Sequence, residues 1–347
     1  MNTTTRAAGL RMPAEWAPHE RTLIAWPARE EAWRGTTIEE ARDAHAAVVE
    51  AVAAFEPVTL VADPAHVADA RRRVTADNVE VVALPIDDSW LRDSGPIVVT
   101  GTGGSGTTRA GIDFRFNAWG EAFEPYDKDA AIAQRLLEQL GIERFGSPLV
   151  LEGGSIAVDG EGTLVTTEQC LLNPNRNALL ERVDIEQELR LQLGVEQIVW
   201  LGQGLIEDAD TDGHVDNVAA FVAPGRVLLQ TAPAGDLNHA NTLENKRRLL
   251  AAGLDVIELS LLPRTQREDG EAVVVPYMNF YLCNGAAIVP LAQLDHDMDD
   301  EALTRLRALL PGREVVGVPG RVLALGGGGV HCITQQVPAI PTPEQQA

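Results

Sequence analysis

Five short polar clusters hold the residues that could do chemistry. They are Asp93 in WLRDSGP, Glu152 in LEGGSIAVD, His214 and Asp216 in TDGHVDN, Asn279 in YMNFYLCNG, and Cys332 in GGGGVHCITQQ. The last raises the sharpest question, because four glycines run into a His–Cys pair in a chain with only three cysteines. A phosphate loop would need Gly-Lys-Ser/Thr and a following helix. Here VHCITQQVP has no Lys, is β-branched and is closed by Pro338. Glycines ahead of a strand instead let a planar ligand come close, and their N–H groups can face developing charge. Cys332 then reads as a nucleophile. On an extended strand His331 and Cys332 face opposite ways, so His331 reads as a bystander and a non-adjacent His must be the base. His214 has the polar context for that role.

His214 and Asp216, two residues apart, share a face if their segment is a strand, giving a proton carrier beside a cation binder. The plainer alternative is a buried, satisfied His with Asp216 capping a turn. DADTDG opens like a calcium loop, but the twelfth position is Ala219 rather than Glu. Zinc needs at least three protein ligands, and the other six histidines form no HxH or HxxxH pair, so no metal is expected. Taken alone, Arg92–Asp93 reads as a structural ion pair before Pro96, and Glu152 stands before a Gly pair where backbones can approach closely.

The elements that must position these residues are readable. Helical periodicity predicts helices over 37–55, opening with a Thr-x-x-Glu capping box, over 128–141, ending on Gly, and over 175–194. Strands are predicted at 57–63, 96–100, 154–160, 163–167, 196–201, 218–225, 227–231 and 284–290, with a hairpin through GEG at 160–162. The stretch 101–108 reads as a flexible loop. The polar clusters recur at intervals of 53 to 65 residues, as if five strand-bearing units each expose a polar strand end. That rhythm suggests a radial arrangement around one axis. A doubly wound sheet accounts for the strand–helix alternation but not for the recurrence.

The chain has 347 residues, 45% of them hydrophobic, and a net charge of −23. The acidity argues against nucleic acid or an anionic membrane as partner and favours cationic ligands. No apolar run is long enough for a membrane span, and the first residues lack the apolar core of a signal peptide. With three scattered cysteines and no CxxC, a reduced, cytoplasmic protein is expected.

Together, RMPAEWAPHERTLIAWP (11–27), WLRDSGP (90–96), FNAWG (116–120), LEGGSIAVDGEGTLVTTEQCLLNPNRN (151–177), DTDGHVDN (210–217), NFYLCNG (279–285) and GGVHCITQQVP (328–338) resemble the agmatine deiminases of the guanidine-modifying superfamily. The resemblance implies a five-bladed, pseudo-symmetric α/β propeller of ββαβ-type units, in one catalytic domain over 1–338 with a disordered tail at 339–347. It implies hydrolysis of agmatine to N-carbamoylputrescine and ammonia, a step toward putrescine, without metal or organic cofactor. By motif, Cys332 corresponds to the nucleophile and His214 to the acid/base. Asp93 and Asp216 correspond to the guanidinium binders, and Glu152 to the carboxylate that orients the His. Trp90 and Trp119 are expected to line the substrate tunnel, and Asp210 to meet the distal amine. Two positions depart from the family pattern: Glu121 stands where Gly is expected and Pro276 where Ser is expected. The competing readings are a related guanidine hydrolase, such as a peptidylarginine or arginine-derivative deiminase, a polyamine-binding module, and a metallohydrolase. A homo-oligomer, such as a dimer, is left open.

Overall fold

The computed structural model describes residues 9–101 and 108–340. Residues 102–107 of the expected flexible loop at 101–108, and most of the expected C-terminal tail, lie outside the described residues, while Gly101 ends a strand and its N–H donates to the Thr108 carbonyl at 3.1 Å. The start of that tail is tied down, since the Ala339 N–H donates to the Pro18 carbonyl at 2.8 Å.

Five mixed sheets repeat one connection pattern. Tyr281–Cys283 pairs antiparallel with Ala286–Leu291, which pairs parallel with Glu314–Pro319. The same sequence of pairings links Ile97–Gly101, Arg109–Arg115 and Arg144–Val150. It links Ile156–Val158, Thr163–Thr167 and Gln197–Leu201, and then Ala219–Ala223, Arg226–Gln230 and Asp255–Leu259. In the fifth sheet Thr334–Pro338, near the end of the chain, pairs antiparallel with His19–Ala25, which pairs parallel with Val58–Ala62. A parallel partner requires a crossover, and a helix supplies it in each unit. These helices are Ile132–Leu140, Arg182–Leu193, His239–Ala251, His296–Leu309 and Ile38–Ala53. The expected mixed α/β class is therefore present.

Local chemistry explains the helix ends. Thr37 and Glu40 form the predicted capping box, each side chain taking the other's backbone N–H. Helix Ile38–Ala53 buries Ala41, Ala44, His45, Val48, Val49 and Val52, the stripe that a 3.6-residue period puts on one face. The helix expected over 175–194 is two pieces, Pro174–Asn177 and Arg182–Leu193. The break serves packing, because Asn177 turns back to accept the Val150 N–H at 3.0 Å and donate to its carbonyl at 2.9 Å.

Each unit enters its first strand through a short turn, and the polar clusters lie on these turns. Asp93 is in Leu91–Ser94, Glu152 caps Gly153–Ser155, and His214 caps Val215–Asn217, which contains Asp216. Asn279 precedes Tyr281–Cys283, and Cys332 is in Val330–Ile333. The recurrence read in the sequence is real, but the polar residues precede the strands rather than ride on them.

Candidate active site

A buried cluster forms where these turns meet. A methyl group placed on Gly154 would lie 2.7 Å from His214 Nδ1, 2.8 Å from Asp93 Oδ1 and 2.9 Å from Asp216 Oδ2. Three ionisable groups, Asp93 from one unit and His214 and Asp216 from another, thus surround one point on a third, and only glycine leaves room for them. Asp216 Oδ2 is in turn 3.6 Å from the Cys332 sulfur.

Cys332 is buried, and its sulfur is contacted by the Asn279 amide, with Nδ2 at 3.3 Å. Asn279 Oδ1 accepts the backbone N–H of His331 at 2.9 Å, fixing the turn that carries the cysteine. Burial, with Asp216 and Asp93 alongside, pushes the thiol well above its usual range, while N–H groups of Gly329 and Asn279 pull the other way. The glycine run therefore does face the sulfur. It is not a strand: Arg321–Gly326 is helical, Gly327 turns with φ +110°, and Val330–Ile333 is a helical turn.

Asp93 accepts the Gly154 N–H at Oδ1 and the Trp119 indole N–H at Oδ2, both at 2.9 Å. Burial lifts its pKa to about 6, with Asp216 and Glu152 adding to the effect against His214. Trp119 sits in a left-handed stretch, Ala118 to Glu121, where φ is 50° to 63° at the non-glycine residues. The sequence expectation of Gly at 121 reflects that backbone, since Glu121 adopts φ +63°. Arg92 does not pair with Asp93; its guanidinium goes to Gln336 at 2.8 Å and Glu15 at 3.3 Å.

His214 is fully buried between two carboxylates, with Nδ1 3.9 Å from Asp93 and Nε2 3.8 Å from Glu152. Both contacts exceed hydrogen-bond length, and neither ring nitrogen has a hydrogen-bond partner among the described residues. Burial opposes its charging, but Asp93, Cys170 and Glu152 outweigh it and raise its pKa well above the ordinary value, which favours the imidazolium. The strand expected through His214–Val215–Asp216 is absent; a 3₁₀ turn aims both side chains inward because Asp208 accepts the His214 N–H at 3.1 Å and an Asn217 side-chain N–H at 2.9 Å.

Glu152 is buried and holds Arg176 Nε at 2.6 Å. Burial would raise its pKa, but His214 and Arg176 keep it low. Glu152, Cys170 and His214 are close enough to ligate a metal. The Arg176 guanidinium already occupies Glu152 Oε1 and brings a positive charge to that place, which disfavours a second cation.

A cleft of about 380 Å³ leads to Cys332, lined among others by Trp90, Trp119, Asp93, Asp88 and Asp210. Both tryptophans expected at the tunnel are there. Asp210 is also there, but its carboxylate is engaged by Arg34 at 2.9 Å and by Arg267 at 2.6 Å. Asp88, not singled out in the sequence, lines the same cleft with one guanidinium, Arg29, at 3.4 Å. His331 is no bystander: Nδ1 is 2.9 Å from Asp216 Oδ2 and Nε2 is 2.8 Å from Glu15 Oε2. Asn279 and Gly154 were likewise not assigned to the site from sequence. Asn279 carried a signal, being a lone amide in the apolar run VVVPYMNFYLC.

The site has the thiol, imidazolium and paired carboxylates of a centre for nucleophilic attack on a cation. The family model for Porphyromonas-type peptidyl-arginine deiminase matches residues 11–338. The agmatine deiminase of Pseudomonas aeruginosa strain LESB58 is 44% identical, with 97% of this chain and 98% of the relative covered. The agmatine deiminase of Ectopseudomonas mendocina is 41% identical, covering 98% of each chain. Among solved structures, the agmatine deiminase of Enterococcus faecalis superposes with a TM-score of 0.89 at 34% identity, covering 97% of this chain and 98% of that one. The chain belongs to the Porphyromonas-type peptidyl-arginine deiminase family, within which its similarity runs to agmatine deiminases.

Proposed function

We propose that the protein is an agmatine deiminase that hydrolyses the guanidinium of agmatine to N-carbamoylputrescine and ammonia through a covalent intermediate on Cys332. The observation that carries this reading is the pair of carboxylates, Asp93 and Asp216, flanking one buried thiol, with Asp216 Oδ2 3.6 Å from the sulfur. A guanidinium is a planar cation with N–H donors on several edges, and two carboxylates hold such a plane with its carbon presented to a nucleophile. The near-full-length similarity to proteins named agmatine deiminase supports agmatine as the substrate.

The chemistry follows from the charge states. Burial and the neighbouring Asp216 and Asp93 favour the thiol form of Cys332, and Asp93, Cys170 and Glu152 favour the charged form of His214. The bound cation offsets Asp93 and Asp216 and lowers the cost of forming the thiolate, whose proton passes to solvent because His214 already carries one. The thiolate attacks the guanidinium carbon, His214 gives its proton to the departing nitrogen, and ammonia leaves an S-alkylthiouronium on Cys332. Neutral His214 then takes a proton from water, which attacks the same carbon. Collapse releases the urea product and restores the thiol.

Five repeated strand–strand–helix–strand units, each delivering a turn residue to one site, support their reading as five blades around a common axis in a single catalytic unit. The pairing of Thr334–Pro338 with His19–Ala25 would close that ring. Mass spectrometry of protein quenched during turnover tests the function. An amidine adduct on the Cys332 peptide is expected. A Cys332→Ala protein that still turns over agmatine would overturn the proposal.

A further inference from the structure

His331 stands behind Asp216, away from the thiol. Its two ring nitrogens each meet a carboxylate, Nδ1 at 2.9 Å from Asp216 Oδ2 and Nε2 at 2.8 Å from Glu15 Oε2. Ionised carboxylates only accept hydrogen bonds, so both nitrogens must donate and the ring between them is an imidazolium. Glu15 is itself fixed. Its Oε1 accepts the Leu282 N–H at 2.8 Å, and Arg92 reaches Oε2 at 3.3 Å. Arg92 also donates to the His331 carbonyl at 3.3 Å. The groups facing the ring are thus Arg92, Glu15 and Asp216, with His214 and Asp93 beyond. The row is polar, yet it borders a second pocket lined largely by apolar residues such as Met12, Phe221 and Phe280. Asp216 separates that pocket from the Cys332 cleft, since it borders the first and contacts the sulfur of the second.

We infer that His331 is a positioning residue: clamped by Glu15, it pins Oδ2 of Asp216 by a charge-assisted hydrogen bond and so leaves Oδ1 to receive the guanidinium of the substrate. The inference rests on the deiminase reading for the identity of that substrate. Three observations converge on it. Asp216 Oδ1 is buried and has no hydrogen-bond partner among the described residues. Asp216 accepts no backbone N–H among the hydrogen bonds described, so His331 is what orients it, whereas Asp93 is oriented by Gly154 and Trp119. The clamp also sets charge. Burial would raise the Asp216 pKa, and the His331 hydrogen bond and charge hold it down instead. Glu15, despite burial, is kept at about 2, chiefly by His331 and then by Arg92. Burial and Arg92 work against charge on His331, and Glu15 and Asp216 outweigh them.

Two amides separate the ring's two contacts. The Asn amide nitrogen reaches the place of Nδ1, and the longer Gln reaches the place of Nε2. His331→Gln should raise KM for agmatine about tenfold and lower kcat/KM about 100-fold, the range for losing a hydrogen bond to a charged group. His331→Asn should recover kcat/KM to within about tenfold of the parent. Glu15→Gln should act in the same direction as His331→Gln, although it touches neither substrate nor Asp216. Thermal melts of all three serve as the control for folding. Imidazole ¹⁵N resonances of the parent, read without substrate, should show His331 doubly protonated at neutral pH. A neutral His331, or Gln and Asn variants equally impaired with unchanged melting, would overturn the inference. If the parent turns over no guanidine at all, the functional reading falls while the ¹⁵N spectrum still decides the clamp.

Discussion

The sulfur of Cys332 lies 3.6 Å from Oδ2 of Asp216, in a buried pocket that also holds Asp93. A thiolate and two carboxylates cannot be packed together at low cost without a compensating cation. The cations nearby are already matched by carboxylates: His214 lies between Asp93 and Glu152, His331 between Asp216 and Glu15, and Arg176 is on Glu152. The free protein should therefore show no thiolate absorbance from Cys332 at neutral pH, and a non-reacting guanidinium compound should induce it. The measurement is ultraviolet difference spectroscopy against Cys332→Ala. Thiolate already present in the empty protein would refute substrate-assisted ionisation.

The pH profile should have an acid limb set by Asp93. Its pKa is about 6 in the folded protein, so the group gains a proton as pH falls through that value and loses the charge that attracts a guanidinium. kcat/KM should drop below about pH 6 and also fall at high pH, once His214 loses the proton it must donate. The Trp119 N–H stabilises the charged form of Asp93. Trp119→Phe should accordingly move the acid limb to higher pH and lower kcat/KM at neutral pH about tenfold or more.

Gly154→Ala should be far more damaging than its size suggests. The added methyl would lie within 2.9 Å of His214, Asp93 and Asp216 at once. At least one of the three must shift, and a displacement of about 1 Å costs on the order of 100-fold in rate. We expect kcat/KM to fall by about that factor, with a loss of stability of about 1–3 kcal/mol from overpacking. Activity near that of the parent would show that the three groups are not held as described.

The cleft assigns different tasks to its two outer aspartates. Asp210 is committed to Arg34 and Arg267, so Asp210→Asn should lower the melting temperature more than it changes recognition of the distal amine. Asp88 accepts the Ser89 N–H at 2.8 Å, has one guanidinium, Arg29, at 3.4 Å, and has a pKa lifted to about 6 by burial. A second cation would stabilise its charged form. Asp88→Asn should raise KM for agmatine about tenfold and leave butylguanidine, which lacks the amine, nearly unchanged. Steady-state kinetics on the two substrates separates these outcomes, and equal effects on both would rule out the assignment.

Much of this protein is legible along the chain because the relevant signals are local. A capping box needs residues 37 and 40, a strand needs a short apolar run, and a recurrence needs only similar spacing. Residue types marked Cys332, His214 and Asp216 as chemically loaded, whereas Asp93 and Glu152 acquired roles only through the resemblance to a family. The direction in which side chains point was not local. His214–Val215–Asp216 reads as a strand by alternation but folds as a 3₁₀ turn, because Asp208 and Thr211 take the His214 N–H. His331 reads as facing away from its neighbour, which is so far as the thiol is concerned; that it faces Asp216 and Glu15 follows from contacts across 115 and 316 residues. Sequence determined which groups are present and the spacing at which they recur. Only the tertiary structure decided which carboxylates share a histidine, which are already spent on arginine, and which oxygen is left for a substrate, because burial and through-space charge depend on neighbours that the chain order does not name.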